Sequence, residues 1–122
     1  MGASILIADD LGFTRMIQRD ILAEHGYTVV GEATDGVEAV RKFQNLKPDL
    51  VLLDITMPNM NGLEAMHKIF SINPKAKVIM CSAMGQQGLI VEAIRAGVKD
   101  FVVKPFKAER ILSAIEKALR SP

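Results

Sequence analysis

The chain has 122 residues, 49% apolar and 24% charged, with 15 basic against 14 acidic side chains and a formal net charge of +1. That composition excludes an intrinsically disordered chain, and the near-neutral balance supplies no field to attract nucleic acid or anionic lipid. One cysteine, Cys81, excludes an internal disulfide and a multi-cysteine metal site, and apolar runs of about four residues are far short of the ~20 that span a bilayer.

Met1 to Ala8 has no basic stretch leading into a long apolar one, so no leader peptide is expected. The expectation is one cytoplasmic domain over residues 1–122, without membrane insertion. The first apolar run, Ile5-Leu6-Ile7-Ala8, reads as a strand. Met16, Ile17, Ile21 and Leu22 mark a helix, which His25-Gly26 ends with a cation at the negative pole and a glycine suited to a left-handed cap. Val29-Val30 is a short second run. Asp35 and Glu38 have capping-box spacing, and Val37, Val40 and Phe43 are expected on the inward face of a second helix. Leu50 to Leu53 is the third run. Leu63, Met66, Ile69 and Phe70 mark a third helix. Val78 to Cys81 is the fourth run, followed by a helix on Leu89, Ile90, Ala93 and Ile94 that Arg95-Ala96-Gly97 ends. Phe101-Val102-Val103 is the fifth, and Ile111, Leu112, Ile115 and Leu119 complete the last helix.

The runs are continuously apolar rather than alternating, as in strands covered on both faces. Strand–helix units in this order imply an α/β fold with an open parallel sheet, because crossovers are right-handed and place helices on both faces. Ligands in such folds sit beyond the carboxyl ends of the strands. Those ends carry Asp9-Asp10, Asp54, Ser82-Ala83 and Lys104-Pro105. Three converging carboxylates need a proton or a cation, and all-oxygen ligands favour a hard cation such as Mg2+. A lysine and a hydroxyl beside them suit an anion, and the combination suits phosphoryl chemistry. Singly, each residue has a plainer reading: Asp9 and Asp10 fit a helix N-cap equally well, Asp54 can open a turn-rich loop, and Lys104 can be a solvated lysine.

Asp9-Asp10, Asp54-Ile55-Thr56-Met57-Pro58 with Gly62, Ser82-Ala83 and Lys104-Pro105-Phe106 together resemble the receiver domains of two-component response regulators. Within that family, Asp54 to Pro58, Cys81 to Gln87 and Lys99 to Phe106 resemble the stand-alone chemotaxis regulators. The resemblance covers essentially the whole chain. It implies a flavodoxin-like (βα)5 fold with strand order 2-1-3-4-5. It also implies a phosphorylation-dependent signalling switch that is not a turnover enzyme on external substrates. Asp54 is then the phosphoacceptor. Asp10, Asp54 and the Thr56 carbonyl bind Mg2+, Asp9 acts through a metal-bound water, and Lys104, the Ser82 hydroxyl and the Ala83 N–H bind phosphoryl oxygens. A cis Lys104-Pro105 peptide is implied in the same way.

The resemblance further implies that Ser82 and Phe101 form the switch, with Phe101 turning inward; a fixed core role for Phe101 is the alternative. Thr56 and Met84 tune the lifetime of the phosphorylated state. The implied donor is a histidine kinase of the chemotaxis type. The face of the fourth helix, fifth strand and fifth helix binds an output protein such as the flagellar motor switch, with a phosphatase as a further partner; a monomer is expected. Alternatives inside the family are a phosphorelay intermediate or the receiver of a longer DNA-binding regulator. Outside it, a hydrolase would want a second Asp two residues beyond the first, whereas Asp9 and Asp10 are adjacent. A nucleotide or flavin binder would want a glycine-rich loop after strand one. Cys81, Met66 and Met80 read as core, and His67 as a solvated side chain.

Overall fold

The computed structural model describes residues 2–122; Met1, the first residue of the Met1 to Ala8 stretch, lies outside them. Ten elements alternate along the chain: β1 (Ser4–Ala8), α1 (Gly12–Glu24), β2 (Thr28–Ala33), α2 (Gly36–Leu46), β3 (Leu50–Asp54), α3 (Gly62–Ile72), β4 (Val78–Ser82), α4 (Gln87–Ala96), β5 (Asp100–Val103) and α5 (Ala108–Arg120). The strands form one parallel sheet in the order β2-β1-β3-β4-β5, as expected from the resemblance. Among the described residues no helix is long and apolar enough to cross a membrane.

Strand side chains alternate between two cores, since successive residues point to opposite faces. Leu6, Ala8, Val51, Leu53, Val78 and Met80 pack with α2, α3 and α4 on one side. Ile5, Ile7, Leu50, Leu52, Ile79 and Cys81 pack with α1 and α5 on the other. All residues of β3 and β4 are buried, which is why those runs carry no polar alternation. Each fully buried Ile or Leu contributes roughly 1.5–3 kcal/mol of transfer free energy. The sheet is thereby a rigid base for the loops at its carboxyl edge.

Three helix faces differ from expectation. In α1, Leu22 is buried, but Met16 and Ile17 are exposed and Gln18 takes the inward position beside Cys81. In α2 the inward residues are Gly36, Ala39 and Phe43, and Val37 is 51% exposed. The cause is Gly36, whose N–H bonds to the Met60 carbonyl and where a Cβ would lie 2.1 Å from that oxygen. Val40 and Phe43 still pack against the core, so Val37 alone loses its expected place. In α4 only Ile90 and Ala93 are buried, while Leu89 and Ile94 face outward. The caps largely follow their residues. Asp35 accepts from the Glu38 N–H at 2.8 Å, but the Glu38 carboxylate reaches back to Thr34 N, so this box is displaced by one residue. Asn61 and Glu64 form a full reciprocal box. Gly26 and Gly97, at φ 82° and 115°, occupy the left-handed region after α1 and at the end of α4.

Candidate functional site

Parallel pairing puts the strand ends side by side. Ala8 is level with Leu53, Asp54 with Cys81, and Ser82 with Val103. The next residues therefore share one edge: Asp9 after β1, Asp54 closing β3, Ser82 closing β4 and Lys104 after β5. Asp9, Asp10 and Asp54 each bring a carboxylate oxygen within 4.8 Å of the others. Asp9 and Asp54 are buried and Asp10 is exposed. Neither Asp9 nor Asp10 is the N-cap of α1; that position is Leu11, with no side-chain cap, and Asp9 instead accepts from the Leu11 N–H at 2.9 Å. The turn is held from outside by Arg15, which donates to the Asp9 carbonyl at 2.6 Å and pairs with Glu32 on β2 at 3.0 Å. Arg19 pairs with the same carboxylate at 2.6 Å. Sequence reasoning missed this brace, because α1 and β2 are neighbours only in the fold.

Lys104 reaches across β4 to Asp54, a span of two strand spacings or roughly 9.6 Å, and on to Asp9 one strand further. Its Nζ lies 2.8 Å from Asp9 Oδ2 and 3.1 Å from Asp54 Oδ1. The resemblance paired this lysine with a phosphoryl oxygen; in the structure its single positive charge is shared between two of the three carboxylates. Burial lowers its pKa, but the hydrogen bond to Asp9 and the charge and hydrogen bond of Asp54 outweigh that and raise it. Asp54 is pushed up to about 6, first by burial and then by the Asp9 charge, with Lys104 opposing and Asp10 adding slightly. The cluster is thus short of positive charge, as a cation site should be. The Lys104-Pro105 peptide is cis.

Ser82 is fully buried, and its Oγ has no hydrogen-bond partner among the described residues. The Ala83 N–H donates to Gln86 Oε1 at 2.7 Å, and Gln86 Nε2 donates to Thr56 Oγ1 at 2.9 Å. Gln86 was not a sequence candidate; only proximity marks it. Met84 is 82% exposed. Phe101 is half-buried against the core on the α2–α4 side and lines an open apolar groove of about 520 Å³ with Met84, Ile90, Val91, Ile94 and Val103. A second depression, of about 360 Å³, is lined by Phe13, Ile17, Lys104 and Phe106 beside the acidic edge. The β3–α3 loop is pinned by Gly62, whose N–H donates to the Ile55 carbonyl at 2.7 Å. A Cβ there would stand 2.0 Å from the Asp54 carbonyl oxygen, so the close approach demands glycine.

Cys81 is buried, and burial, then the Asp54 charge, push its thiol up to about 12, so it is inert at neutral pH. His67 is exposed, 3.2 Å from Glu92.

The response regulator receiver domain model matches residues 5–116. Chemotaxis protein CheY of Thermotoga maritima is 56% identical over 117 residues, covering 96% of this chain and 98% of that protein. CheY of Bacillus subtilis is 53% identical over 119 residues, covering 98% and 99%. Among solved structures, CheY in a CheX-CheY-BeF3-Mg2+ complex from Borrelia burgdorferi superposes with a TM-score of 0.93 at 35% identity, covering 98% of this chain and 90% of that one. The response regulator domain of T. maritima CheB gives 0.92 at 37% identity, covering 100% and 99%. With a matching family model over most of its length and near-full-length relatives above half identity, the chain belongs to the response regulator receiver domains of two-component systems and is a CheY-like chemotaxis regulator.

Proposed function

We propose that this chain is a phosphorylation-driven switch in which Asp54 is the phosphoacceptor. The observation that carries the reading is the placement of Asp54: a buried carboxylate at a strand end, flanked by two further carboxylates and touched by Lys104 at 3.1 Å. A carboxylate oxygen of Asp54 attacks phosphorus, and the P–N bond of a kinase phosphohistidine, or the P–O bond of a small acyl phosphate, breaks with its electron pair leaving on that nitrogen or oxygen. The product is an acyl phosphate on Asp54, which water later hydrolyses. Such a transfer needs alignment and charge neutralisation more than covalent assistance.

The acidic trio fits Mg2+, with Asp10, Asp54 and the Thr56 carbonyl as direct ligands and Asp9 acting through water. When bound, the ion supplies positive charge opposite the phosphoryl oxygens. Lys104 leaves Asp9 for one such oxygen; the Ser82 hydroxyl and the Ala83 N–H take another. The chain processes only its own phosphoryl group and does not turn over external substrates. The donor is a chemotaxis-type histidine kinase. The output face is α4-β5-α5, whose apolar groove suits a partner such as the flagellar motor switch, and a phosphatase resets the state. Ser82 moves toward the phosphoryl group and Phe101 turns inward behind it. Lacking a hydroxyl, Phe101 is held in that state by packing alone.

The test is intact mass after incubation with acetyl phosphate and Mg2+, alongside Asp54→Asn. The expected result is one phosphoryl adduct in the wild type, absent without Mg2+ and absent in the variant. No adduct, and no Asp54-dependent response to beryllofluoride, refutes the reading.

A further inference from the structure

The Ala83 N–H, assigned above to a phosphoryl oxygen, already has a partner: Gln86 Oε1, at 2.7 Å. The other end of the same carboxamide donates to Thr56 Oγ1 at 2.9 Å. One side chain therefore ties the loop after β4 to the loop after β3, across the mouth of the acidic pocket. Gln86 is also where α4 begins. Its carbonyl accepts from the Leu89 and Ile90 N–H groups, both at 3.1 Å, yet its side chain does not cap the helix. The amide oxygen is a neutral acceptor seated on an N–H that an anion would use.

We infer that Gln86 is a positioning residue that latches the unphosphorylated site and couples its opening to the first turn of α4. The inference rests on Asp54 being the phosphoacceptor. One N–H cannot serve a phosphoryl oxygen and Gln86 Oε1 at full strength. A hydrogen bond to an anion is roughly twice as strong as one to a neutral acceptor, so the exchange runs toward the phosphoryl group. Once Oε1 leaves Ala83, the Thr56 bond loses the geometry that holds it. The start of α4 then loses its side-chain tie to the β3 edge. Ala83 and Gln86 border the same groove as Phe101 and Ile94, so the release acts directly on the apolar face proposed for output. Three neighbouring side chains, Ser82, Gln86 and Phe101, then respond to one event, and Gln86 does so from outside the core.

The test is titration of the full chain with beryllofluoride and Mg2+, read by the Ala83 amide resonance and by hydrogen exchange at Leu89 and Ile90. Gln86→Ala removes the competing acceptor and should tighten beryllofluoride binding roughly five- to tenfold, the worth of one to two neutral hydrogen bonds. It should also speed exchange at Leu89 and Ile90 before any addition. Gln86→Glu keeps acceptors for the Ala83 N–H and the Thr56 hydroxyl but adds a negative charge, and should weaken binding at least roughly fivefold, the order of one like charge at short range. A residue serving only the local fold would shift both variants in the same direction, and that outcome overturns the inference. So does an unchanged affinity in Gln86→Ala when the wild type titrates normally. If the wild type itself gives no response beyond that of Asp54→Asn, the phosphoacceptor reading fails, and the latch with it.

Discussion

Removing the charge of Asp54 should make the metal-free protein more stable, because the carboxylate is held where its ionised form is unwelcome. Burial and the neighbouring Asp9 raise it from an ordinary 3.8 to about 6 against the pull of Lys104. At about 1.4 kcal/mol per tenfold change in proton affinity, the ionised group costs the fold about 3 kcal/mol at neutral pH. That is a ceiling, because the neutral amide of the Asp54→Asn variant loses part of the attraction to Lys104, and a gain of about 1–3 kcal/mol is expected. For a chain of this size it corresponds to roughly 3–12 °C in Tm. The sign with pH follows from a folded value above the unfolded one. The folded state binds the proton more tightly, so this group's penalty is absent below about pH 4, grows as pH rises, and is complete above about 6. The groups facing it are Asp9, Asp10 and Lys104. The assay is urea denaturation in EDTA at pH 7.5 and pH 5. Asp54→Asn should exceed the wild type at pH 7.5, and the gap should narrow at pH 5. Added Mg2+ should stabilise the wild type and not the variant. Equal stabilities at pH 7.5, or a gap that widens on acidification, would refute the electrostatic reasoning.

Gly62→Ala places a Cβ 2.0 Å from the Asp54 carbonyl oxygen, and only backbone movement can relieve it. A loss of about 1–3 kcal/mol and slower uptake from acetyl phosphate are expected; a denaturation midpoint within about 0.1 M urea of the wild type would contradict the contact. Ser82→Ala removes a buried hydroxyl that has no hydrogen-bond partner among the described residues. The free protein should be unchanged or stabilised by up to about 1 kcal/mol, while beryllofluoride binding weakens, and a clear thermal destabilisation would show that the hydroxyl is satisfied after all. Burial raises the Asp100 carboxyl, but the Arg110 guanidinium at 2.9 Å and the Phe101 N–H outweigh this and hold it low. Its stabilisation is present above about pH 4 and lost as pH falls through the depressed value. Asp100→Asn should cost under about 1 kcal/mol at pH 7, in keeping with a partly exposed pair, with the difference shrinking as pH falls below about 4; a difference constant with pH would count against it. Met84→Glu exchanges an apolar, 82% exposed side chain beside the site for a charged one. The half-life of the phosphorylated state should change, and an identical decay in a quench time course would remove Met84 from lifetime control.

How much of this was legible in the residues differs between sheet and helices. Continuous apolar runs such as Leu50 to Leu53 and Val78 to Cys81 leave no water-facing side, so they must be interior strands between helix layers, and they are. Strand β2 was legible only as Val29-Val30 but runs from Thr28 to Ala33, because it is an edge strand with half-buried side chains. Helix seams were less legible. Val37 fits an apolar stripe as well as Val40 does, and only the pressure of Met60 on Gly36 decides which faces in. Met16 and Ile17 lost the inward face of α1 to Gln18, a polar residue whose burial beside Cys81 no periodicity announces.

The site divides along the same line. Covalent order alone puts Asp9, Asp10, Asp54, Ser82 and Lys104 at or just after strand ends, and parallel pairing is enough to bring strand ends to one edge. Which groups then touch depends on distances across elements far apart in the chain. Lys104 pairs with Asp54 from two strands away and with Asp9 from three. Arg15 braces Asp9 through its carbonyl, and Gln86 spans Ala83 and Thr56. A residue's type and its place after a strand are local properties that a linear code can carry. A hydrogen bond good to a few tenths of an ångström is a property of the packed sheet, and it exists only once both cores have set the strands in register.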